Sequence, residues 1–294
     1  MVNLENWKAP EIREDMPHGD MPGDEIAIGE DHIKKAQKIF PELVKLIEKK
    51  GSDKIVVSVF GGSGVGKSEI ASLLAFYLQE AGIGAYVMSG DNYPKRIPLY
   101  NDAERLSRFR SEGLKALVKN GLYSDSVRSA LSELWAEETD PDPSRISAHP
   151  WLETYQKAGR LALKSYLGTE KEQDYEQVNE IISTFKSGGN PIFLKRMGRT
   201  EDERWYDPVD FTDIKVLIIE WTHGGNERLR GIDIPILLNS TPEETREHRR
   251  NRARDGKTDS AFTTMVLEIE QEELDARRPS ASIVISKAGE FLDR

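Results

Sequence analysis

Cysteine is absent from the 294 residues, which rules out disulfides and any zinc site built on thiolates. Long apolar runs are missing as well. No segment approaches the roughly 20 consecutive apolar residues of a membrane-spanning helix. Residues 1–30 also lack the apolar centre of a secretory signal. A cytoplasmic protein with no membrane contact is the expectation. Nor is there a surplus of positive charge. The chain has 51 acidic and 41 basic residues and a net charge of -10, which is not the footprint of a nucleic-acid partner. A locally basic anion site remains compatible with that balance. Internal repeats and long low-complexity tracts do not occur. The length allows one large or two ordinary domains with a sizeable core.

What is present is organised around one stretch. Residues 54–60 are apolar and rich in β-branched side chains, the signature of a buried strand. They run into Gly61-Gly62-Ser63-Gly64-Val65-Gly66-Lys67-Ser68, which fits G-x-x-x-x-G-K-[ST]. From Glu69 to Leu78 the spacing is helical. Strand, Gly-rich loop and helix is the context that a P-loop requires. Glycines let successive backbone N–H groups curl around phosphate oxygens, and the helix N-terminus adds its positive dipole end. In this reading residues from Gly61 to Glu69 hold ATP. Lys67 reaches the β- and γ-phosphates, and the Ser68 hydroxyl ligates Mg²⁺.

Residues 1–30 are acidic, carry Pro10, Pro17 and Pro22, and show no sustained period, so they read as an irregular arm. Ile33, Ala36, Ile39, Phe40, Leu43, Leu46 and Ile47 mark an amphipathic helix, with Pro41 a candidate bend and Gly51 its end. Residues 84–89 read as a second strand. Asp91 follows it, where open α/β sheets bind ligands. A loop aspartate also serves as a turn or helix cap, but a carboxylate is what a metal and an acceptor hydroxyl require. Residues 102–188 are helical in pattern, and their aromatics read as core. A short strand at 191–194 feeds Lys195, Arg196 and Arg199. With Lys95 and Arg96 these cations either clamp an acidic acceptor or face solvent.

Residues 214–219 form the most apolar strand after the first, and Glu220 at its end is a Walker-B-like carboxylate for Mg²⁺. His223 beyond it has no metal partner in the sequence and is compatible with a surface position. After a strand at 232–238, Ser240 or Thr241 caps a helix bearing Arg246, Arg249, Arg250, Arg252 and Arg254. That run is either a solvated face or a phosphate-facing lid at about 249–260. A helix at 262–274 and a strand at 282–286 complete the chain.

The order of these elements resembles the uridine kinase and phosphoribulokinase family of P-loop kinases. The likeness is carried by residues 61–68, by Asp91 with Tyr93, and by Glu220 followed by Trp221-Thr222-His223-Gly224. Arg250 to Arg254-Asp255 and Lys287-Ala288-Gly289-Glu290 add to it, as do Asp174-Tyr175, Gly188-Gly189 and Pro191. It covers about 54–98 and 170–290. The resemblance implies Asp91 as base or orienter of the acceptor hydroxyl, and Ser68, Asp91 and Glu220 around Mg²⁺. It also implies Arg250 and Arg254 on the ATP phosphates, the loop at 288–289 near adenine, and Tyr93 on the acceptor side. Trp221 stands where that family usually has Gly, the helical stretch at 102–168 is longer than nucleoside kinases need, and acceptor-binding residues are not legible in 191–211.

The expected fold is α/β, a P-loop NTPase-type three-layer fold with a parallel five-stranded core sheet of order 2-3-1-4-5. A P-loop kinase domain at 31–294, with a helical insertion at about 102–188, follows the arm. The expected activity is ATP-dependent transfer of the γ-phosphoryl group to an alcohol hydroxyl of a small metabolite, one carrying phosphate or carboxylate if the basic clusters bind it. A nucleoside is the main competing acceptor. A non-kinase P-loop NTPase or nucleotide-binding regulator is the alternative outside that class, although neither an N-K-x-D nor an L-S-G-G-Q-like motif occurs. Homo-oligomerisation is left open.

Overall fold

The computed structural model describes residues 4–13, 16–252 and 260–294. Strand β1 (Ile55–Gly61) is buried along its whole length, as befits the centre of a parallel sheet covered on both faces. Strands β5 (Val216–Glu220) and β6 (Ile234–Asn239) flank it, with β2 (Ala85–Ser89) and β7 (Ile283–Ser286) at the edges. The order is β2-β5-β1-β6-β7, and every pair is parallel. This numbering differs from the expected 2-3-1-4-5 because an antiparallel hairpin intervenes, made of β3 (Ile192–Met197) and β4 (Arg204–Val209). Counted over the five strands of the sheet alone, the succession is the same. Strand β4 is an addition to the sequence reading. Its Pro208 is tolerated because a strand paired on one side needs no donor on the other.

Side chains alternate across β1, as the pleat demands. Ile55, Val57 and Val59 join one core with helices α1 (Glu30–Lys50) and α2 (Lys67–Glu80). Val56 faces the opposite core, shared with α6 (Tyr175–Lys186) and the hairpin through Tyr175, Phe185 and Leu194. Two helical layers around one sheet result. Helix α1 runs unbroken through Pro41.

A third core lies apart from the sheet. It joins α3 (Pro98–Lys119), α4 (Asp125–Ala136) and α5 (Leu152–Lys164) to α8 (Ala261–Arg277) through Phe109, Leu131, Tyr155, Leu163 and Ile269. Phe109 meets Tyr155 and Phe262 edge-on, with centroids 5.5 and 5.8 Å apart. The aromatics of this stretch are thus packing residues, as their spacing suggests. Helix α7 (Arg246–Arg252) leads toward α8. Among its described residues the arm is irregular apart from a short 3-10 helix at Leu4–Asn6 and a turn at 22–23, and Trp7 packs on Phe40 of α1 at 4.5 Å. Among the described residues no helix is long and apolar enough to cross a membrane.

Replacing Phe109 by Ala removes the ring on which the third core closes. The expected cost is about 3–5 kcal/mol, read as a lower urea midpoint. A loss below about 1 kcal/mol would mean that this core does not pack as described.

Candidate active site

Register brings the site together. Glu220 pairs with Val59 of β1 and with Ser89 of β2, so three strand ends reach one edge of the sheet. From there the chain turns into α2 through Gly64 (φ 76°) and Gly66 (φ 93°), left-handed conformations that favour glycine. A Cβ at Gly64 would also lie 2.9 Å from Arg249 Cγ, and one at Gly66 2.7 Å from His32 Nε2. No side chain among the described residues caps α2. The first N–H groups of any helix lack intrahelical acceptors, which is what an anion site uses.

Lys67 Nζ donates to the Gly62 carbonyl at 3.1 Å. Glu220 is only 2% exposed, and its carboxylate accepts from Ser89 Oγ at 2.5 Å and from Ser68 Oγ at 3.3 Å. Burial first, then the charge of Asp91, push the Glu220 carboxyl up to about 8, against the pull of Lys67. Asp91 itself is exposed, in a single turn (Gly90–Asn92) beyond β2.

Among the described residues no cluster of three or more His, Asp or Glu is set to hold a metal unaided. Mg²⁺ needs less than that, because it keeps waters and takes phosphate oxygens alongside one or two carboxylates. A buried carboxylate with two hydroxyls on it, disfavoured as an anion by its acidic neighbour, fits such an ion.

The basic residues read from the sequence divide into groups. Lys95 and Arg96, with Tyr100, Glu104, Glu201 and Arg204, line an open cavity of about 490 Å³. Arg96 also donates to Tyr166 Oη and the Lys171 carbonyl. Lys195 Nζ donates to the Pro94 carbonyl at 3.1 Å. Arg196 is buried, with Nη1 on Asp20 at 2.8 Å, Nη2 on Tyr86 Oη at 3.2 Å, and Nε on Asp207 at 3.2 Å. Arg199 is exposed near the hairpin turn, and Tyr93 lies in the core with its hydroxyl on Met88 Sδ.

Of the lid arginines, Arg250 is exposed on α7 and Arg254 lies outside the described residues. Among the described residues Arg249 packs against the P-loop, with Nη1 donating to Thr245 Oγ1 at 2.5 Å.

Several neighbours of the site were given no role there by the sequence reading. His32 and Lys35 of α1, with Thr245, His248 and Lys287, enclose a cavity of about 220 Å³ against Gly64 and Val65. A lysine beside Ala36 in the apolar stripe of α1 was the available signal, and Lys35 is indeed buried, which lowers its pKa. His223 is half-buried beside Trp221 rather than at the surface. Burial lowers its pKa to about 4. Arg105 of the helical layer donates to Glu172 at 2.6 Å and lies 3.8 Å from Glu270 of α8, which lines a cavity with Phe60 of β1 and His223. Burial pushes Glu270 up to about 7.

The motif, the turn of the loop into α2 and the strand order agree. The chain has an α/β fold of the P-loop type. No family model matches it. A curated relative, the bifunctional alpha-galactosidase/sucrose kinase AgaSK of Mediterraneibacter gnavus, is 33% identical over 262 residues. The match takes in 89% of this chain but only 23% of that protein, so the chain spans less than a quarter of its relative. D-glycerate 3-kinase from Cryptococcus neoformans var. grubii overlaps 88% of this chain and 97% of its own, at 13% identity and TM-score 0.46. A protein assigned as a fructose transport system kinase from Silicibacter sp. TM1040 overlaps 85% of this chain and 95% of its own, at 15% identity and TM-score 0.46. Overlaps this weak decide nothing about the reaction.

A carboxyl raised to about 8 holds a proton in the folded protein that the unfolded chain has released. Without divalent cations, stability should therefore fall as pH rises from about 5 to about 8, and level off above. Glu270 adds to this decline below about 7, while His223 opposes it between about 4 and its usual range. Glu220→Gln should flatten the upper part of a melting-temperature profile against pH. An unchanged slope would assign the proton elsewhere.

Proposed function

We propose that the protein is an ATP-dependent kinase that transfers the γ-phosphoryl group to a hydroxyl of a neutral carbohydrate. One observation carries the reading: Lys67, Ser68, Glu220 and the Asp91 turn meet at the edge of the sheet where the P-loop opens. Backbone N–H groups of the loop and of α2 would hold the phosphates. Lys67 would leave the Gly62 carbonyl for the β- and γ-oxygens. Ser68, Glu220 and Asp91 would hold Mg²⁺, which would supply positive charge to the phosphates. Asp91 would orient the acceptor hydroxyl and take its proton as the oxygen attacks phosphorus in line. A new P–O bond then forms while the bond to ADP breaks. Arg249 and Arg250, together with Arg254, are the candidates for spreading charge on the departing phosphates. The nucleoside end would extend toward the cavity beside Gly64, His32 and Lys35.

Two features favour a neutral acceptor over a charged one. Arg196, Lys195 and Arg96 already donate to groups of the protein itself. The larger cavity mixes Lys95 and Arg204 with Glu104, Glu201 and the Tyr100 ring. Hydroxyls, which donate and accept, suit both signs of charge. In the name of the Mediterraneibacter gnavus relative the kinase activity is on sucrose, which makes sucrose the first acceptor to try. An acceptor carrying phosphate or carboxylate, and a nucleoside, are the competitors. Dependence on ATP makes the cytoplasm the proposed setting.

With Mg²⁺ and ATP, purified protein should release ADP when sucrose or another neutral sugar is added, and Lys67→Ala should not. Asp91→Ala should lose about 100-fold or more in kcat, the scale of acid–base help, with the KM for ATP little changed. Turnover confined to nucleosides or hydroxy acids would reassign the acceptor. Full turnover in Asp91→Ala would remove that carboxylate from the mechanism.

A further inference from the structure

We infer that Asp20, from the arm before α1, is a positioning residue that holds the turn carrying Asp91; this rests on the kinase reading above. The Asp20 side chain is 8% exposed, and four donors converge on its carboxylate. Oδ1 accepts from the Ser89 amide at 2.7 Å and from Asn92 Nδ2 at 3.0 Å. Oδ2 accepts from Tyr86 Oη at 3.0 Å and from Arg196 Nη1 at 2.8 Å.

Ser89 and Asn92 stand on either side of Asp91 in the chain. Both have a second task in the site. Ser89 Oγ donates to Glu220 at 2.5 Å, and Asn92 Oδ1 accepts from the Met197 amide of the hairpin at 3.0 Å. One carboxylate therefore links β2, the Asp91 turn and the hairpin. Its chain neighbour Gly19 lies against the metal-side carboxylate, since a Cβ there would be 3.5 Å from Glu220 Oε1.

The cause is electrostatic. A buried guanidinium and a buried amide need acceptors, and losing one partner of such a pair leaves the other uncompensated. In Asp20→Asn one oxygen becomes an NH2 donor, so the four donors must share a single remaining acceptor, and among the described residues Arg196 keeps Asp207 as its carboxylate partner. The Asp91 turn then loses its bond to the arm and shifts against β2 and the hairpin. Displacements near 1 Å cost up to about 100-fold in rate when reacting groups must be aligned.

Asp20→Asn keeps the shape and removes the charge. Its kcat should fall by about 10- to 100-fold with the fold intact by circular dichroism. A merely structural loss would lower the melting temperature and the folded fraction, leaving turnover per folded molecule as in wild type. Mn²⁺ titration in the presence of ADP, followed by electron paramagnetic resonance, reads the same displacement without any acceptor, and Asp20→Asn should bind the ion more weakly. If wild type transfers no phosphate, the kinase reading fails and the Mn²⁺ titration alone judges Asp20. Should Asp20→Asn not fold, Tyr86→Phe, which removes a single donor to Asp20, should still lower kcat several-fold. Wild-type turnover in a folded Asp20→Asn or, failing that, in Tyr86→Phe would overturn the proposal. So would wild-type Mn²⁺ affinity in an otherwise inactive pair.

Discussion

Glu220 is a carboxylate buried at the end of a central strand, facing the acidic Asp91 and a loop built to receive phosphates. Burial first, and that negative neighbour second, govern the site. Alone, the carboxyl protects itself by taking up a proton, so its pKa rises to about 8. A divalent ion between Glu220, the Ser68 hydroxyl and bound phosphates would relieve the same strain productively. The arrangement costs stability in the empty protein and is the kind of local conflict that functional sites retain.

The fold exists, in this view, to bring that carboxylate, the P-loop and Asp91 to one edge. Parallel pairing of β5 with both β1 and β2 sets Glu220 level with Ser89. The two helical layers make the sheet interior dry, which is why a single carboxyl can be shifted so far. The third core contributes Arg105, which pairs with Glu172 and lies 3.8 Å from Glu270 of α8, and Glu270 lines a cavity together with Phe60 of β1 and His223.

Much of this was legible in the chain, for local reasons. The P-loop needs its residue types at fixed offsets, and Glu220 ends an unbroken apolar strand, so spacing alone singles them out. Asp91 follows from the rule that ligands sit beyond strand ends. Strand β4 was not legible, because Arg204, Trp205, Tyr206, Asp207 and Pro208 show no clean alternation of apolar and polar side chains. The arginine run pointed to a basic helix but not to Arg249 as the member against Gly64, a matter of helical phase relative to the loop. Asp20, His32 and Lys35 act across long separations in sequence. No local pattern announces that an arm and a preceding helix will fold back onto the sheet edge.

Nucleotide binding at residues 61–69 is the claim on which everything else stands. Isothermal calorimetry with ATP, with and without Mg²⁺, tests it most directly. The account predicts one site per chain, tightened by Mg²⁺ in wild type and insensitive to it in Glu220→Gln. Absence of heat from wild type with millimolar ATP and Mg²⁺, under conditions where the protein is folded, would contradict it.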